Sequence, residues 1–150
     1  MRVYLVIMDE TEEARKALRF AARRATATDG AVHILALVQP QSFNAFGGVQ
    51  ATIEQEAHDR AEVMATSAAG NLYSESGKMP TITVRIGEGQ AVIKEYLAEH
   101  PEVAALVLGS AAEGGPGPLV THFSAHAGSL PCPLFVIPGT LSNDDIDQLS

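Results

Sequence analysis

A doubly wound α/β domain, one five-stranded parallel sheet with helices on both faces, is the fold class this sequence predicts. Three observations carry it. Five short aliphatic runs, at 3–8, 32–38, 82–86, 104–108 and 134–137, lack clean polar alternation, as strands covered on both faces do. Apolar stripes with a helical period fill the intervals between them. The chain of 150 residues makes one ordinary domain, 1–150, long enough to bury about 68 to 70% of the surface its unfolded form exposes.

The elements follow in order. Val3 to Met8 is the first strand. Ala14, Ala17, Leu18, Ala21, Ala22 and Ala25 then form one stripe of mostly small residues, which permits close packing on a sheet. Thr11 is placed to cap that helix, Glu12 and Glu13 suit its positive end, and Asp29-Gly30 turns the chain toward the second strand, Val32 to Val38. Gln39 to Gln50 carries Pro, Asn and two glycines without a period and reads as a loop or flap. Its Phe43 and Phe46 have two readings: a cover over a ligand, or a contact within the loop or with another subunit. Ile53, Ala57, Ala61, Met64, Ala68 and Leu72 stripe a long helix from Ala51 to Leu72, and Gly77 and Pro80 end the turn after it.

Ile82 to Ile86 is the third strand, followed by Gly87-Glu88-Gly89. That Gly-x-Gly has the start of a dinucleotide fingerprint, but Val92 holds the third glycine position, so it reads as a turn and the start of a helix over 90–99. Pro101 stops this helix, and Ala104 to Leu108 is the fourth strand. Leu119, Val120, Phe123, Ala127 and Leu130 stripe a fourth helix before the fifth strand, Leu134 to Ile137. In the tail, Ser142 to Asp145 has the spacing of a capping box for a short last turn.

The glycine-rich segment after the fourth strand is where chemistry is expected. Backbone N–H groups of such a loop, opening a helix, can face an anion. Yet no Lys or Arg occurs between Glu95 and Ser150, which leaves backbone donors with Ser110 or Thr121 as the only ligands for a phosphate. A reversal of strand order after the first winding makes the carboxyl ends of strands one and four neighbours, bringing Asp9 and Glu10 beside Gly109 and Ser110.

Other chemistries are excluded residue by residue. No G-x-x-x-x-G-K-[ST] and no G-x-S-x-G is present, and strands three and five end in Gly87 and Pro138-Gly139, without the acids and lysine of a receiver domain. His122 and His126 are four apart on a helix, but no third metal ligand is near in sequence, so no metal site is assigned. Cys132, the single cysteine, reads as an inert thiol at the entry to an apolar strand. The net charge of −8 argues against nucleic acid as a partner. The N-terminal apolar run meets Asp9 and Glu10 instead of a cleavage site, and no run approaches membrane-spanning length. A cytoplasmic location is therefore expected.

Read together, several segments resemble the universal stress protein family over essentially the whole chain. They are Val6-Ile7-Met8-Asp9, Val38, Val84-Arg85-Ile86-Gly87-Glu88, Leu106-Val107-Leu108-Gly109-Ser110 and Pro131 to Pro138. The resemblance implies strand order 3-2-1-4-5, a homodimer formed through the last strand at Leu134, Phe135, Val136 and Ile137, and a stress-linked role without settled catalysis. An unpaired aliphatic edge strand independently favours covering by a second copy. ATP-binding members carry Gly-x2-Gly-x9-Gly-[Ser/Thr]; counted from Gly109, this chain has Ala112, His122 and Phe123 at the remaining positions. The departure is similar to the branch that does not bind ATP. What carries over is Asp9 on the ribose side, Val38 on the adenine side and Gly109 in the phosphate loop, with Ser110, Gly114 and Gly115 as the rearranged loop's other nucleotide-binding candidates. The expectation is a non-catalytic, dimeric regulatory or interaction protein with weak or no ATP binding and no cofactor. Two alternatives stay open: an ATP- or AMP-binding switch with very slow hydrolysis, and a small-molecule sensor.

Overall fold

The computed structural model describes residues 1–40 and 47–150. The elements run β1 (Val3–Met8), α1 (Glu12–Ala27), β2 (Ala31–Val38), α2 (Gly47–Ser76), β3 (Thr81–Ile86), α3 (Gly89–Glu99), β4 (Val103–Ser110), α4 (Pro118–Ala125), β5 (Leu134–Pro138) and α5 (Asn143–Leu149). The sheet is parallel throughout, in the order β3-β2-β1-β4-β5 expected from the sequence.

β1 lies at the centre, and all six of its residues are buried. Because side chains alternate along a strand, Tyr4, Val6 and Met8 join one core with α1, α2 and α5, while Val3, Leu5 and Ile7 join a second with α3 and α4. Burying each such side chain contributes about 1.5–3 kcal/mol, so this one strand underwrites both layers.

α1 packs through Ala14, Ala17, Leu18, Ala21 and Ala25, the stripe read from its sequence. Thr11 caps it as expected: its Oγ1 accepts from the Ala14 amide at 3.2 Å while donating to Asp9 Oδ1. α2 differs in two respects. Its deepest line is Ala61, Ala65 and Ala69, with Ala57, Met64, Ala68 and Leu72 at the flanks. It also starts at Gly47, so the expected loop over 39–50 is shorter than read. The Gly47-Gly48 pair costs about 1 kcal/mol per residue in a helix, a penalty the cooperative extension of a 30-residue helix absorbs. Phe43 and Phe46 lie outside the described residues.

Two further boundaries move. β4 continues through Gly109 and Ser110, which pair with Ile137 and Pro138 of β5, and α4 ends at Ala125, before a single 3-10 turn at Ala127–Ser129. On the α3 side, the buried Tyr96 hydroxyl bonds His33 Nδ1 at 2.8 Å, and the Tyr96 ring stacks on His100 with centroids 3.9 Å apart. Burial, and then the neighbouring His100, hold His33 toward its neutral form.

The tail forms α5 through the expected capping box, with Ser142 Oγ accepting from Asp145 N at 3.1 Å. α5 buries Ile146 completely and is clasped to α1 by Asp147, which takes Arg19 Nε at 2.8 Å and Nη2 at 2.7 Å and lies 3.4 Å from Arg23 Nε. The Arg19 hydrogen bonds hold the Asp147 carboxyl below its ordinary value. A carboxylate with a lowered folded-state pKa stabilises above the ordinary value of about 3.9, and that contribution disappears as pH falls through the folded one. Asp147→Asn should therefore melt below the parent at pH 6 to 7, with the gap narrowing as pH falls below the ordinary carboxylate value. Thermal melts across that range check it, and a gap that stays constant with pH would refute the linkage.

Candidate functional site

The order of the sheet reverses between β1 and β4, where a doubly wound sheet opens a crevice at its strand carboxyl ends. A cleft of about 470 Å³ lies there. Ile7 of β1 with Asp9 just after it, Leu37 of β2 with Gln39 just after it, and Leu108 and Gly109 of β4 form one part of it. The first residues of α3 and the segment from Pro116 to Val120 complete its wall.

Asp9 follows β1 directly, and its Oδ1 accepts from the Thr11 amide at 2.9 Å as well as from the Thr11 hydroxyl. The carboxylate is thereby turned into the start of α1 and held at the cleft. Glu88 closes another side as the cap of α3, accepting from the Gln90 and Ala91 amides at 3.1 and 3.0 Å. Those amides are the donors an anion at this helix start would use, and the protein's own carboxylate already holds them. Glu13 also borders the cleft, so three acidic residues line it, and none of the described residues lining it is Lys or Arg.

The start of α4 lies open toward the cleft. Gly117, with φ of 101°, precedes Pro118 at the first helical position and provides no side-chain cap. Its dipole favours an anion by about 0.3–1 kcal/mol. The carboxylates of Asp9, Glu13 and Glu88 oppose it, and that repulsion grows with each negative charge a ligand carries.

The structure brings together only part of the residue set read from sequence. Asp9 and Gly109 both border the cleft. Val38 does not: its side chain is buried on the α1 and α2 side, its carbonyl accepts from the Gly87 amide at 3.1 Å, and strand alternation gives the cleft its neighbours Leu37 and Gln39 instead. Ser110 is a strand residue whose carbonyl accepts from Gly139 at 2.8 Å. Gly114 and Gly115 occupy left-handed backbone, with φ of 76° and 90°, in an exposed bend that contributes nothing to the lining. Gly109 itself has a packing reason. A Cβ there would lie 2.1 Å from the Glu13 carbonyl oxygen, so its absence lets α1 rest directly on β4.

Sequence reading missed Glu13, Glu88 and the stretch from Pro116 to Val120 as cleft residues. Glu is an uncommon N-cap, and the loop's six-residue excursion from Ala111 to Pro116, closed by an Ala111 to Pro116 backbone hydrogen bond of 3.2 Å, has no period to signal it. Away from the cleft, the His122 and His126 rings stack with centroids 4.4 Å apart. Among the described residues the three potential metal ligands that converge are instead His58, Asp59 and Glu62 on α2, two of them exposed, as acidic helix faces commonly place them. Burial pushes the half-buried Cys132 thiol up, away from the reactive thiolate form. No helix among the described residues is long and apolar enough to cross a membrane.

A model described as the Universal stress protein family matches residues 1–138. Among solved structures, universal stress protein UspA from Lactobacillus plantarum is 21% identical, with a TM-score of 0.79 over 91% of this chain and 97% of that one. A family protein from Arabidopsis thaliana with AMP bound is 15% identical, TM-score 0.57, over 92% of each chain. The universal stress protein from Archaeoglobus fulgidus in complex with dAMP is 16% identical, TM-score 0.53, over 91% of this chain and 97% of that one. At these identities the likeness is one of fold. No curated protein matches.

Gly109→Ala should destabilise the fold by about 1–3 kcal/mol, because the new methyl meets backbone that cannot swing aside. Gly128→Ala, whose added Cβ would have no neighbour within 4 Å, is the control and should melt within a degree or two of the parent. Equal melting temperatures for the two variants would remove the packing role given to Gly109.

Proposed function

The chain belongs to the universal stress protein family, and on that premise we propose that it is a non-catalytic, cytoplasmic regulatory module in a stress response. Its cleft takes a nucleoside or nucleoside monophosphate in preference to ATP. The observation that carries this is the lining: Asp9, Glu13 and Glu88 face the space, and no basic side chain among the described lining residues offsets them. A triphosphate would bring several negative charges against that wall. A single phosphate at the open start of α4 would meet the one favourable dipole, and the apolar edges from Ile7, Leu37 and Leu108 suit a flat base. The AMP and dAMP complexes of the two relatives support a ligand of that size. They also favour the second reading, a nucleotide-binding switch, over a small-molecule sensor.

We further propose that a second copy covers β5. Its backbone has a partner only on the β4 side, Val136 is 37% exposed, and an apolar hollow lined by Phe20, Leu141 and Leu149 runs beside it. Of the four residues read as the interface, Val136 is the most exposed. Ile137 belongs to the core, and Phe135 meets Phe20 edge-on at 5.7 Å. A charge at Val136 therefore tests the interface without breaking the core.

Titration calorimetry should give a dissociation constant above about 100 μM for Mg-ATP, less than about 5.5 kcal/mol of binding free energy, with AMP binding more tightly. Low-micromolar ATP binding would overturn the preference and promote the switch reading. Separately, Val136→Lys should sediment as a monomer where the parent sediments as a dimer, and an unchanged dimer would place the interface elsewhere.

A further inference from the structure

A second hollow lies away from the cleft. A groove of about 690 Å³ lies between α3 and α4 and shares no lining residue with the cleft. Its volume is that of a small-ligand site. Leu97 and Phe123, 5% and 1% exposed, form its floor with Leu130. Lys94, His122, His126 and Ser129 stand around its rim.

The charge at this rim is opposite to that of the protein. Net charge is −8, and no basic residue other than histidine follows Lys94 in the chain. Lys94 is nonetheless the sole Lys, Arg, Asp or Glu among the described residues lining the groove, and no ion pair engages it. The acids of the same helix are drawn to another side: Glu95 and Glu99 reach Arg85 of β3, at 3.9 and 3.5 Å. The His126 ring is held in place, its Nδ1–H donating to the His122 carbonyl at 2.8 Å. An apolar floor with one unpaired cation at its edge is complementary to an amphiphile bearing one negative charge. A polyanion would find too few cations, and a cation would meet Lys94.

We propose that this groove is a binding site for a small amphipathic monocarboxylate. The apolar body lies on Leu97, Phe123 and Leu130, and the carboxylate sits at Lys94.

Octanoate, titrated into the full chain and followed by amide NMR, is the test. Saturable shifts should fall on 94–101 and 122–131. Octylammonium, with the same body and the opposite charge, should bind at least about tenfold more weakly, and Lys94→Glu should weaken octanoate by a similar factor. Ala98→Trp, placing a large ring in the groove from an exposed helix position, should abolish both responses while leaving the circular dichroism spectrum intact. Three results would overturn the assignment. Octanoate shifts could centre on the Asp9 cleft or on β5, or octanoate and octylammonium could bind alike. Sedimentation could instead show a dimer that Ala98→Trp dissolves, giving the groove to a second copy.

Discussion

Burial of β1 on both faces is the constraint from which the rest of this molecule follows. A strand whose six side chains all leave water must be covered twice, and the alternation of its side chains distributes those six between two separate cores. α1, α2 and α5 answer one side, α3 and α4 the other. Since every crossover between parallel neighbours needs a covering helix, filling both sides forces the chain to wind outward from β1 in both directions. The reversal leaves β1 and β4 adjacent with their following loops diverging, and the cleft is the space between those loops. The site is thus a by-product of how the central strand is buried, and its floor is as rigid as the core beneath it.

The walls of that space carry the chemistry. Two of the three helix starts near it are engaged by the chain's own oxygens: Thr11 serves α1, and Glu88 serves α3 with two charge-assisted hydrogen bonds. α4 begins without a side-chain cap. Local helix stability and anion affinity compete for the same N–H groups, and here stability has taken most of them. Of the three cleft acids, Glu88 is the one that caps a helix, so part of the cleft's acidity also serves the local stability of α3.

Legibility from sequence followed the physics of each element. β1 to β5 and the stripes of α1 and α3 were readable because burial on a regular element leaves a period, whereas the order of the strands came from the resemblance to a known family. The start of α2 was not, since Gly47 and Gly48 signal a break that the long helix overrides. At the site, Asp9 was readable as the residue ending a buried strand at the topological switch. The side chain of Val38 packs in the core while Leu37 and Gln39 line the cleft, because on a strand one residue is the difference between the two faces. Gly109 has, besides its place in the cleft, a packing role set by the backbone of Glu13, a contact between elements nearly a hundred residues apart that no local pattern encodes. The cleft acids were hidden because Glu13 and Glu88 look like ordinary helix-start carboxylates.

The alanine lines of α1 and α2 have a consequence for how this protein tolerates change. Ala17, Ala21 and Ala65 are fully enclosed, yet each is already the smallest side chain that a helix favours. Nothing remains to truncate there, so the familiar vulnerability of cores to shortened side chains is absent along these two seams. The vulnerability is inverted: any growth, even by one methylene, must lever a whole helix off the sheet. Drift at these positions is therefore blocked upward in size, while the bulkier α3 and α4 side, built on Ile93, Leu97 and Phe123, can exchange one large residue for another of similar volume. The two faces of one sheet are open to different kinds of variation, and the face that carries the α3 and α4 groove is the one with latitude to vary.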